Sequence, residues 1–210
     1  MNTIDIIYKY FPKNTLSELQ IHQFEQLFSL YKEWNDKINV ISRKDMENFY
    51  IHHVLHSLAI AKFTNFEKGT QILDLGTGGG FPSIPLAILF AEVDFLLVDS
   101  VHKKLLVINA VKDALGLKNI NTKHSRAEDI HLKFDFILSR AVAKIDVLES
   151  WAKKNIAKNS HNNIKNGFIL LKGGDLDTEL LNSSLNYTVK PITAYFSEDF
   201  FTEKKIIHLS

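Results

Sequence analysis

The sequence contains no cysteine among its 210 residues. This absence excludes disulfide bonds, thiolate metal sites and a cysteine nucleophile. The sequence also has no uninterrupted run of about 18 apolar residues, the length that a membrane-spanning helix needs. Its first residues, MNTIDIIYKYFPKN, lack the basic, apolar and small-residue order of a signal peptide. We therefore expect a cytoplasmic protein with one main domain and no membrane partner.

The net charge is also small, because Lys and Arg together outnumber Asp and Glu by only one. The charge is unevenly distributed. Residues 100–172 carry fourteen basic and six acidic residues, a net charge of +8, whereas residues 71–99 carry no basic and four acidic residues. The basic segment is either a set of lysines on hydrated helix surfaces or a surface that attracts nucleic acid. Charge alone leaves both interpretations open.

The pattern of apolar residues changes near residue 65. Apolar positions follow a helical period over 15–31, where Asn14 or Thr15 is the candidate cap, and again over 44–63. Residues 1–65 are therefore predicted to form a helical extension.

Residues 66–210 alternate short apolar runs with helical segments. The runs are QILDLG, DFLLVDS, KNINTKH, FDFILSR and GFILLKG, and helical patterns cover 82–90, 102–115 and 145–157. This alternation predicts βαβ units, an α/β fold and a parallel sheet with helices on both faces. YTVKPITAYF and KKIIHLS predict a final pair of strands, which we expect to be antiparallel.

The stretch ILDLGTGGGFP (72–82) has four glycines in five positions directly after the first strand. Open α/β sheets bind their ligands at this turn, although glycines in a tight turn without a ligand are the alternative. A triphosphate loop needs Lys and Ser or Thr after its last glycine, and a dinucleotide loop needs glycine where Phe81 stands. Asp74 disfavours a pyrophosphate and favours a cation. S-adenosylmethionine, which is cationic and has no phosphate, fits the loop best, with Asp74, Gly76 and Gly78 as neighbours.

Two further segments lie at the ends of the next strands. Asp99 ends the second strand, where an acid either accepts hydrogen bonds from ribose hydroxyls or caps the strand. After the third strand, HSRAED either places Ala127 and Glu128 beside the adenine or forms a solvated turn. The combination of these segments with the glycine loop predicts a nucleoside-containing cofactor.

The fourth strand, FDFILSRAVAK, ends where the methyl acceptor lies in such a fold. Residues 139–142, Ser-Arg-Ala-Val, are not the (Asp/Asn)-Pro-Pro-aromatic clamp common in methylation of exocyclic adenine nitrogen, and pyrimidine C5 methylation commonly needs a cysteine. A ring nitrogen such as guanine N7 has a free lone pair and needs no general base, so alignment, worth about 7–11 kcal/mol in favourable cases, can carry catalysis. We therefore assign no catalytic residue. Arg140 either positions the cofactor or the base, or is a buried arginine paired with a carboxylate.

Six segments together resemble the bacterial small-subunit rRNA guanine-N7 methyltransferase family, RsmG, also called GidB. They are WNDKINVISRKDMENFYIHHVLHSLAI (34–60), ILDLGTGGGFPSIPLAI (72–88), LVDSVHKKLLVINAV (97–111), HSRAEDI (124–130), FDFILSRAVA (134–143) and ILLKG (169–173). The resemblance covers about residues 20–175. It implies a class I S-adenosylmethionine-dependent methyltransferase domain over 66–210, Rossmann-like with a mostly parallel seven-stranded sheet, after the helical extension. It also implies N7 methylation of one guanine in the decoding-region loop of 16S rRNA.

The resemblance also implies site residues. The family's cofactor contacts fall on Gly76, Phe81, Ala127, Glu128 and Arg140. The family's basic positions near the RNA match Arg126 and Lys172. Its N-terminal signature matches Asn35, Asn39, His53 and Ser57. We take Arg126, Lys172, Asn39 and His53 as the RNA-binding candidates.

Two positions depart from the family pattern. His56 stands where the family commonly has Asp, and Ser83 stands where it commonly has Gly. His52 and His56 have the i, i+4 spacing of a metal pair, but no third ligand is suitably spaced. We therefore expect histidines on a polar helix face and no bound metal.

Two rival functions stay open on the sequence. One is a methyltransferase of this fold that acts on a small molecule or a protein, and the other is a non-catalytic rRNA-binding assembly factor. No pattern in the chain calls for a dimer, so we expect a monomer. Gly78→Val is predicted to abolish cofactor binding by filling the glycine loop.

Overall fold

A seven-stranded sheet lies at the centre of the computed structural model, which describes residues 3–210. The strands are β1 (Gln71–Leu75), β2 (Asp94–Asp99), β3 (Ile120–His124), β4 (Phe136–Arg140), β5 (Gly167–Gly173), β6 (Tyr187–Pro191) and β7 (Lys204–Leu209). Their order across the sheet is β3-β2-β1-β4-β5-β7-β6. Strands β1 to β5 are parallel, whereas β7 is antiparallel to β5 and β6. The predicted α/β fold, with its mostly parallel sheet, is confirmed.

The burial of each strand follows from its place in the sheet. The central strands β4 and β5 are buried along most of their length and have continuous apolar sequences, because both faces are covered. The edge strands β3 and β6 are mostly exposed and carry the exposed Lys123 and Lys190. β6 ends at Pro191, which has no N–H to donate. Both edges of the sheet are therefore formed by strands whose side chains face water.

Helices cover both faces of the sheet, as predicted. They are α1 (Asp5–Tyr10), α2 (Glu18–Lys37), α3 (His56–Phe63), α4 (Ser83–Leu89), α5 (His102–Ala114), α6 (Ile145–Ala152) and α7 (Asp177–Leu181). Ile72 and Leu138 contribute to a core shared with α1 to α5, whereas Leu73 and Ile137 contribute to a core shared with α6 and α7. Within residues 3–210, no helix is both long and apolar enough to cross a membrane.

The long helix of the extension begins later than the sequence pattern predicts. α2 starts at Glu18, and its cap is Ser17 rather than Asn14 or Thr15. The Gln20 amide donates to the Ser17 hydroxyl at 3.2 Å, and the Gln20 side chain accepts from the Ser17 amide at 2.9 Å. This reciprocal capping satisfies two backbone donors that a helix start leaves free, so it fixes the first residue of the helix.

The prediction of a single α-helix over 44–63 is wrong, because three kinds of helical turn occupy this range. Residues Met46–Asn48 form a 3₁₀ turn, Phe49–Leu55 form a π-helix, and only His56–Phe63 are α-helical. π-Helical turns are rare and often lie at functional sites. This turn carries His52 and His53.

The described part of the predicted extension, residues 3–65, packs directly on the rest of the chain, and residues 1 and 2 lie outside the described residues. The buried Tyr31 ring lies 4.9 Å from the Phe81 ring, between centroids, and its hydroxyl donates to the Gly79 carbonyl at 2.5 Å. The Gln23 side-chain amide donates to the Leu115 carbonyl at 2.8 Å. The extension therefore contributes to the same core as the sheet and contacts the glycine loop.

Candidate active site

The glycine loop between β1 and α4 has a backbone that favours glycine. Gly76 and Gly78 have φ values of +64° and +58°, in the left-handed region. The amides of Gly76 and Thr77 donate to the Val98 carbonyl at 2.9 and 3.1 Å. A Cβ atom at Gly76 would lie 2.6 Å from a methyl group of Val142. The loop is thus fixed to β2 on one side and closely covered by the segment after β4.

A cavity of about 410 Å³ opens at the carboxyl ends of β1 to β4, a volume typical of sites for small molecules and cofactors. Of the predicted site residues, those that line it are Gly76, Asp99, Arg126, Ala127, Glu128 and Arg140. The strand order places Asp99 and Ala127, which follow β2 and β3, at one end of the cavity. Gly76 and Arg140, at the ends of β1 and β4, lie at the other end.

Asp99 is held at the cavity by backbone amides. One carboxylate oxygen accepts from the Val101 amide at 2.9 Å, and the other accepts from the Gly78 amide at 2.9 Å. The Lys104 ammonium lies 3.5 Å from the second oxygen. The first oxygen keeps a lone pair for a further donor, whereas the second already accepts from Gly78 and, at 3.5 Å, from Lys104. Gly78 therefore contributes to the site by orienting Asp99.

Three predicted cofactor contacts are not among the residues that line the cavity: Asp74, Gly78 and Phe81. Phe81 is buried between Tyr31 and Arg140. Asp74 is fully buried; one oxygen accepts from the Thr77 hydroxyl at 2.8 Å, and the other has no hydrogen-bond partner among the described residues. Burial raises the pKa of Asp74 to about 6, although Ser83 and Thr77 oppose the rise. The Ser83 hydroxyl makes no well-oriented hydrogen bond.

The Arg140 guanidinium is held by groups of the extension. Nη1 donates to the His52 carbonyl at 3.2 Å, and Nη2 lies 3.1 Å from His53 Nδ1. The guanidinium carbon lies 5.2 Å from the centre of the Phe81 ring. Burial lowers the pKa of Arg140 to about 10, which leaves the group charged at neutral pH. Within residues 3–210 it forms no ion pair, so it is not the carboxylate-paired arginine that the sequence left open.

The family model described as rRNA small subunit methyltransferase G, GidB, matches residues 20–207 of the chain. The chain belongs to this family. Ribosomal RNA small subunit methyltransferase G of Porphyromonas gingivalis is 54% identical over 206 residues, which cover 98% of this chain and 92% of that protein. The protein of the same name from Phocaeicola vulgatus is 52% identical over 207 residues, covering 99% and 98%. The resemblance to the rRNA small subunit methyltransferase G family is confirmed over almost the whole chain.

Solved structures of other methyltransferases share the fold. A SAM-dependent methyltransferase from Aquifex aeolicus aligns with a TM-score of 0.54 and 16% identity over 73% of this chain and 88% of that chain. Precorrin-6y C5,15-methyltransferase from Geobacter metallireducens aligns with a TM-score of 0.55 and 12% identity over 82% and 91%. At these identities the likeness shows the fold alone, which is the predicted class I fold. Members of the rRNA small subunit methyltransferase G family with this fold use S-adenosylmethionine.

The cavity fits S-adenosylmethionine. The Asp99 carboxylate keeps a free lone pair on the oxygen that accepts from Val101, which suits a ribose hydroxyl, and the segment of Ala127 and Glu128 lies on the same side for the adenine. At the other end, Gly76 lines the cavity with backbone alone, because Val142 occupies the position that a Cβ atom would take, and Arg140 supplies a charged donor for a carboxylate. These individual contacts are our predictions for this member of the family.

Asp74→Asn is expected to stabilise the protein at pH 8 and to weaken cofactor binding. A carboxyl whose folded pKa is raised loses stability as pH rises through that pKa, here about 6. The asparagine removes a cost on the order of 3 kcal/mol, and its amide can donate to the unpartnered Ser83 hydroxyl. The same change removes the negative charge that we expect to attract the cationic cofactor. Urea unfolding and titration with S-adenosylmethionine at pH 4.5 and pH 8 check both effects.

The control is Asp113→Asn, which removes an exposed charge on α5. It is expected to change neither quantity appreciably. A gain in stability from Asp74→Asn that is equal at both pH values would contradict the assignment of the raised pKa.

The four RNA-binding candidates occupy different surroundings. Arg126 is exposed where it lines the cavity, and Asn39 is exposed after α2. His53 is buried, with 8% of its surface exposed. Lys172 is also largely buried: its ammonium donates to the Ala143 carbonyl at 2.9 Å and pairs with Glu179 at 2.5 Å. Arg126 and Asn39 are therefore open to solvent, whereas Lys172 supports the segment after β4.

Several lining residues were missed by sequence reasoning, among them Lys104, Val142 and Trp151. Val142 lies 40% exposed in the segment after β4, which includes the left-handed Ala141 at φ +54°. Its position two residues after Arg140 was the available signal. Lys104 and Trp151 lie on α5 and α6, where their spacing does not differ from that of ordinary surface residues.

His53 and His56 are buried and His52 is half-buried, which corrects the expectation of a polar helix face. His56 is 6% exposed and packs against Phe200 and Phe201, and its Nε2 finds no hydrogen-bond partner within residues 3–210. His52 stacks on Phe200 at 3.8 Å between ring centres. In the part of the chain that the structure describes, no three His, Asp or Glu side chains are grouped to hold a metal ion.

Proposed function

We propose that the protein transfers a methyl group from S-adenosylmethionine to N7 of a guanine in the decoding-region (530) loop of 16S rRNA. Membership of the rRNA small subunit methyltransferase G family supports ribosomal RNA as the substrate. A ribosomal substrate also leads us to expect a cytoplasmic protein. We expect it to act as a monomer.

The choice of N7 rests on the residues that line the Gly76 end of the cavity. The lining residues there are Leu75, Gly76, Arg140, Ala141 and Val142, with no carboxylate or imidazole among them. Bound S-adenosylmethionine supplies an electrophilic methyl group. N7 of guanine attacks with its own lone pair and loses no proton, so residues that only align the reactants are sufficient.

The rim of the cavity suits a polyanionic substrate. Arg126 is exposed at the opening, and Lys104 lines it beside Asp99. Both belong to the segment 100–172, which has a net charge of +8. Basic side chains at the opening would hold the phosphates of a single-stranded loop while one base enters. The exposed Val142 gives that base an apolar contact.

The test is methylation of small ribosomal subunits from a strain that lacks the modification. The purified protein is incubated with these subunits and labelled S-adenosylmethionine, and 7-methylguanine is mapped by cleavage at the modified base. We expect one modified guanine, in the decoding-region loop. Naked 16S rRNA is assayed in parallel to identify the form that is accepted.

The rival functions give different results in this assay. Cofactor binding without labelled RNA would indicate a small molecule or protein as the acceptor. RNA binding without turnover would indicate an assembly factor. Labelling at a base position other than N7 would overturn the proposed chemistry but would still support ribosomal RNA as the substrate.

A further inference from the structure

The segment that precedes α3 reaches the cavity through three hydrogen-bonded side chains. Asp45 Oδ1 lies 2.5 Å from His52 Nδ1, and Asp45 Oδ2 lies 2.6 Å from His53 Nε2. On the opposite edge of its ring, His53 Nδ1 lies 3.1 Å from Arg140 Nη2. The connection therefore runs from the partly exposed Asp45 through the buried His53 to Arg140, which lines the cavity.

The chemistry of the two end groups decides the protonation of His53. A guanidinium has only donors, so His53 Nδ1 must offer its lone pair to Arg140. An ionised carboxylate has only acceptors, so His53 Nε2 must carry the proton that it donates to Asp45. His53 is therefore neutral, in the Nε2–H tautomer. Burial and the charge of Arg140 lower the pKa of His53 to about 4, in agreement with this assignment.

Asp45 is ionised in this arrangement. Burial by itself would raise its pKa, but the hydrogen bonds from His52 and His53 outweigh that effect and lower it. The π-helical turn over Phe49–Leu55 contributes a second restraint, because the His52 carbonyl accepts from Arg140 Nη1 at 3.2 Å. Arg140 is thus held at two nitrogens by consecutive residues of the extension.

A histidine and a carboxylate hold an arginine in different ways. A carboxylate would fix the guanidinium and also neutralise it, whereas a neutral imidazole fixes it and leaves the full positive charge. Two of the five N–H groups of Arg140 are used by His52 and His53, and the remainder can serve a ligand in the cavity. The arrangement therefore keeps a charged and oriented donor at the Gly76 end.

We propose that His53 and Asp45 are positioning residues for Arg140: Asp45 selects the Nε2–H tautomer of His53, and His53 holds the guanidinium ready for the methionine carboxylate of S-adenosylmethionine. The proposal rests on the proposed function only for the identity of that ligand. Preorganisation of this kind lowers the ordering cost that a long, flexible arginine otherwise has on binding.

Asp45→Asn tests the first step. The asparagine amide can donate to His53 Nε2. The histidine then carries its proton on Nδ1 and opposes Arg140 with a second donor. In ¹⁵N spectra of histidine-labelled protein, we expect His53 to show a protonated Nε2 in the original chain and a protonated Nδ1 in the variant. A protonated Nδ1 in the original chain would overturn the proposal, whatever the activity of the protein.

Binding of S-adenosylmethionine, measured by calorimetry, tests the second step. Asp45→Asn is expected to weaken binding by about tenfold, because a misplaced group at a site costs one to two orders of magnitude. Glu47→Gln, which removes an exposed charge two residues away, is the matched control and is expected to leave binding unchanged. His53→Leu removes the acceptor and is expected to weaken binding similarly. His53→Asn, whose side-chain oxygen can take the place of Nδ1, is expected to restore most of the affinity.

A double-mutant cycle separates positioning from a general structural effect. In an Arg140→Lys background, Asp45→Asn is expected to have little further effect, since the group that it orients is gone. Additive losses, or unchanged affinity in Asp45→Asn alone, would overturn the proposal. If the original chain bound no S-adenosylmethionine, the proposed function would fail, and the tautomer measurement would still report on His53.

Discussion

Gly76→Val is expected to weaken S-adenosylmethionine binding by about two orders of magnitude or more, equivalent to roughly 3 kcal/mol. A Cβ atom at this position would lie 2.6 Å from one Val142 methyl group and 2.8 Å from the other, and Gly76 lines the cavity. The added methyl groups would displace Val142 or enter the space of the cofactor. The left-handed φ of +64° adds about 1–2 kcal/mol of backbone strain for valine.

Gly116→Val separates the two effects of Gly76→Val, which are the loss of space at the cavity and the backbone strain. Gly116 has a φ of +68°, close to that of Gly76, but among residues 3–210, its own chain neighbours apart, no heavy atom lies within 4 Å of its ideal Cβ position. Both variants are expected to lose stability in urea unfolding, Gly116→Val through backbone strain alone, and only Gly76→Val is expected to lose the cofactor in calorimetric titration. Equal cofactor affinity in the two variants would show that the cavity is not the binding site.

Tyr31→Ala is expected to destabilise the protein by about 3–5 kcal/mol, the usual cost of removing a fully buried aromatic ring. The ring contacts Phe49 and Phe81 at 5.3 and 4.9 Å between centroids, and it joins α2 to the glycine loop. The loss should appear in a single unfolding transition, because the extension and the sheet share one core. Urea unfolding followed by circular dichroism measures it.

Two comparisons complete that experiment. Tyr31→Phe keeps the ring but leaves the Gly79 carbonyl without its hydrogen bond, and is expected to cost about 1–3 kcal/mol. Tyr187→Ala removes a tyrosine that is 50% exposed on β6 and is expected to cost much less. A separate early transition confined to the extension would contradict the shared core and favour the division near residue 65.

The strands and the glycine loop could be predicted because their signals are local. FDFILSR and GFILLKG lie at β4 and β5 within one or two residues, since strands covered on both faces need continuous apolar sequence. The position of the cavity also follows from the order of strand, glycine loop and helix. Asp99, which lies at the end of β2, was predicted on this basis and lines the cavity.

Other features depend on contacts between distant residues, which a single sequence does not reveal. The sequence marked Gly78 as the critical glycine, whereas the structure places the Gly76 carbonyl 4.0 Å from its Cβ position and places Gly76 in the cavity lining. Over seven residues, the period of a π-helix is too close to that of an α-helix to be distinguished by apolar spacing. Lys172 was expected near RNA, yet its partner Glu179 lies in a helix that the sequence pattern did not indicate.

The edge strands have a consequence for crowded solutions. An exposed sheet edge invites pairing with the edge of another molecule, which is the first step towards fibres and amorphous aggregates. Here a neighbour that approached β6 would have to bury Lys190 and would find no N–H at Pro191, and one that approached β3 would have to bury Lys123. The sheet therefore ends in water at both sides, and concentrated protein is expected to resist growth by strand addition.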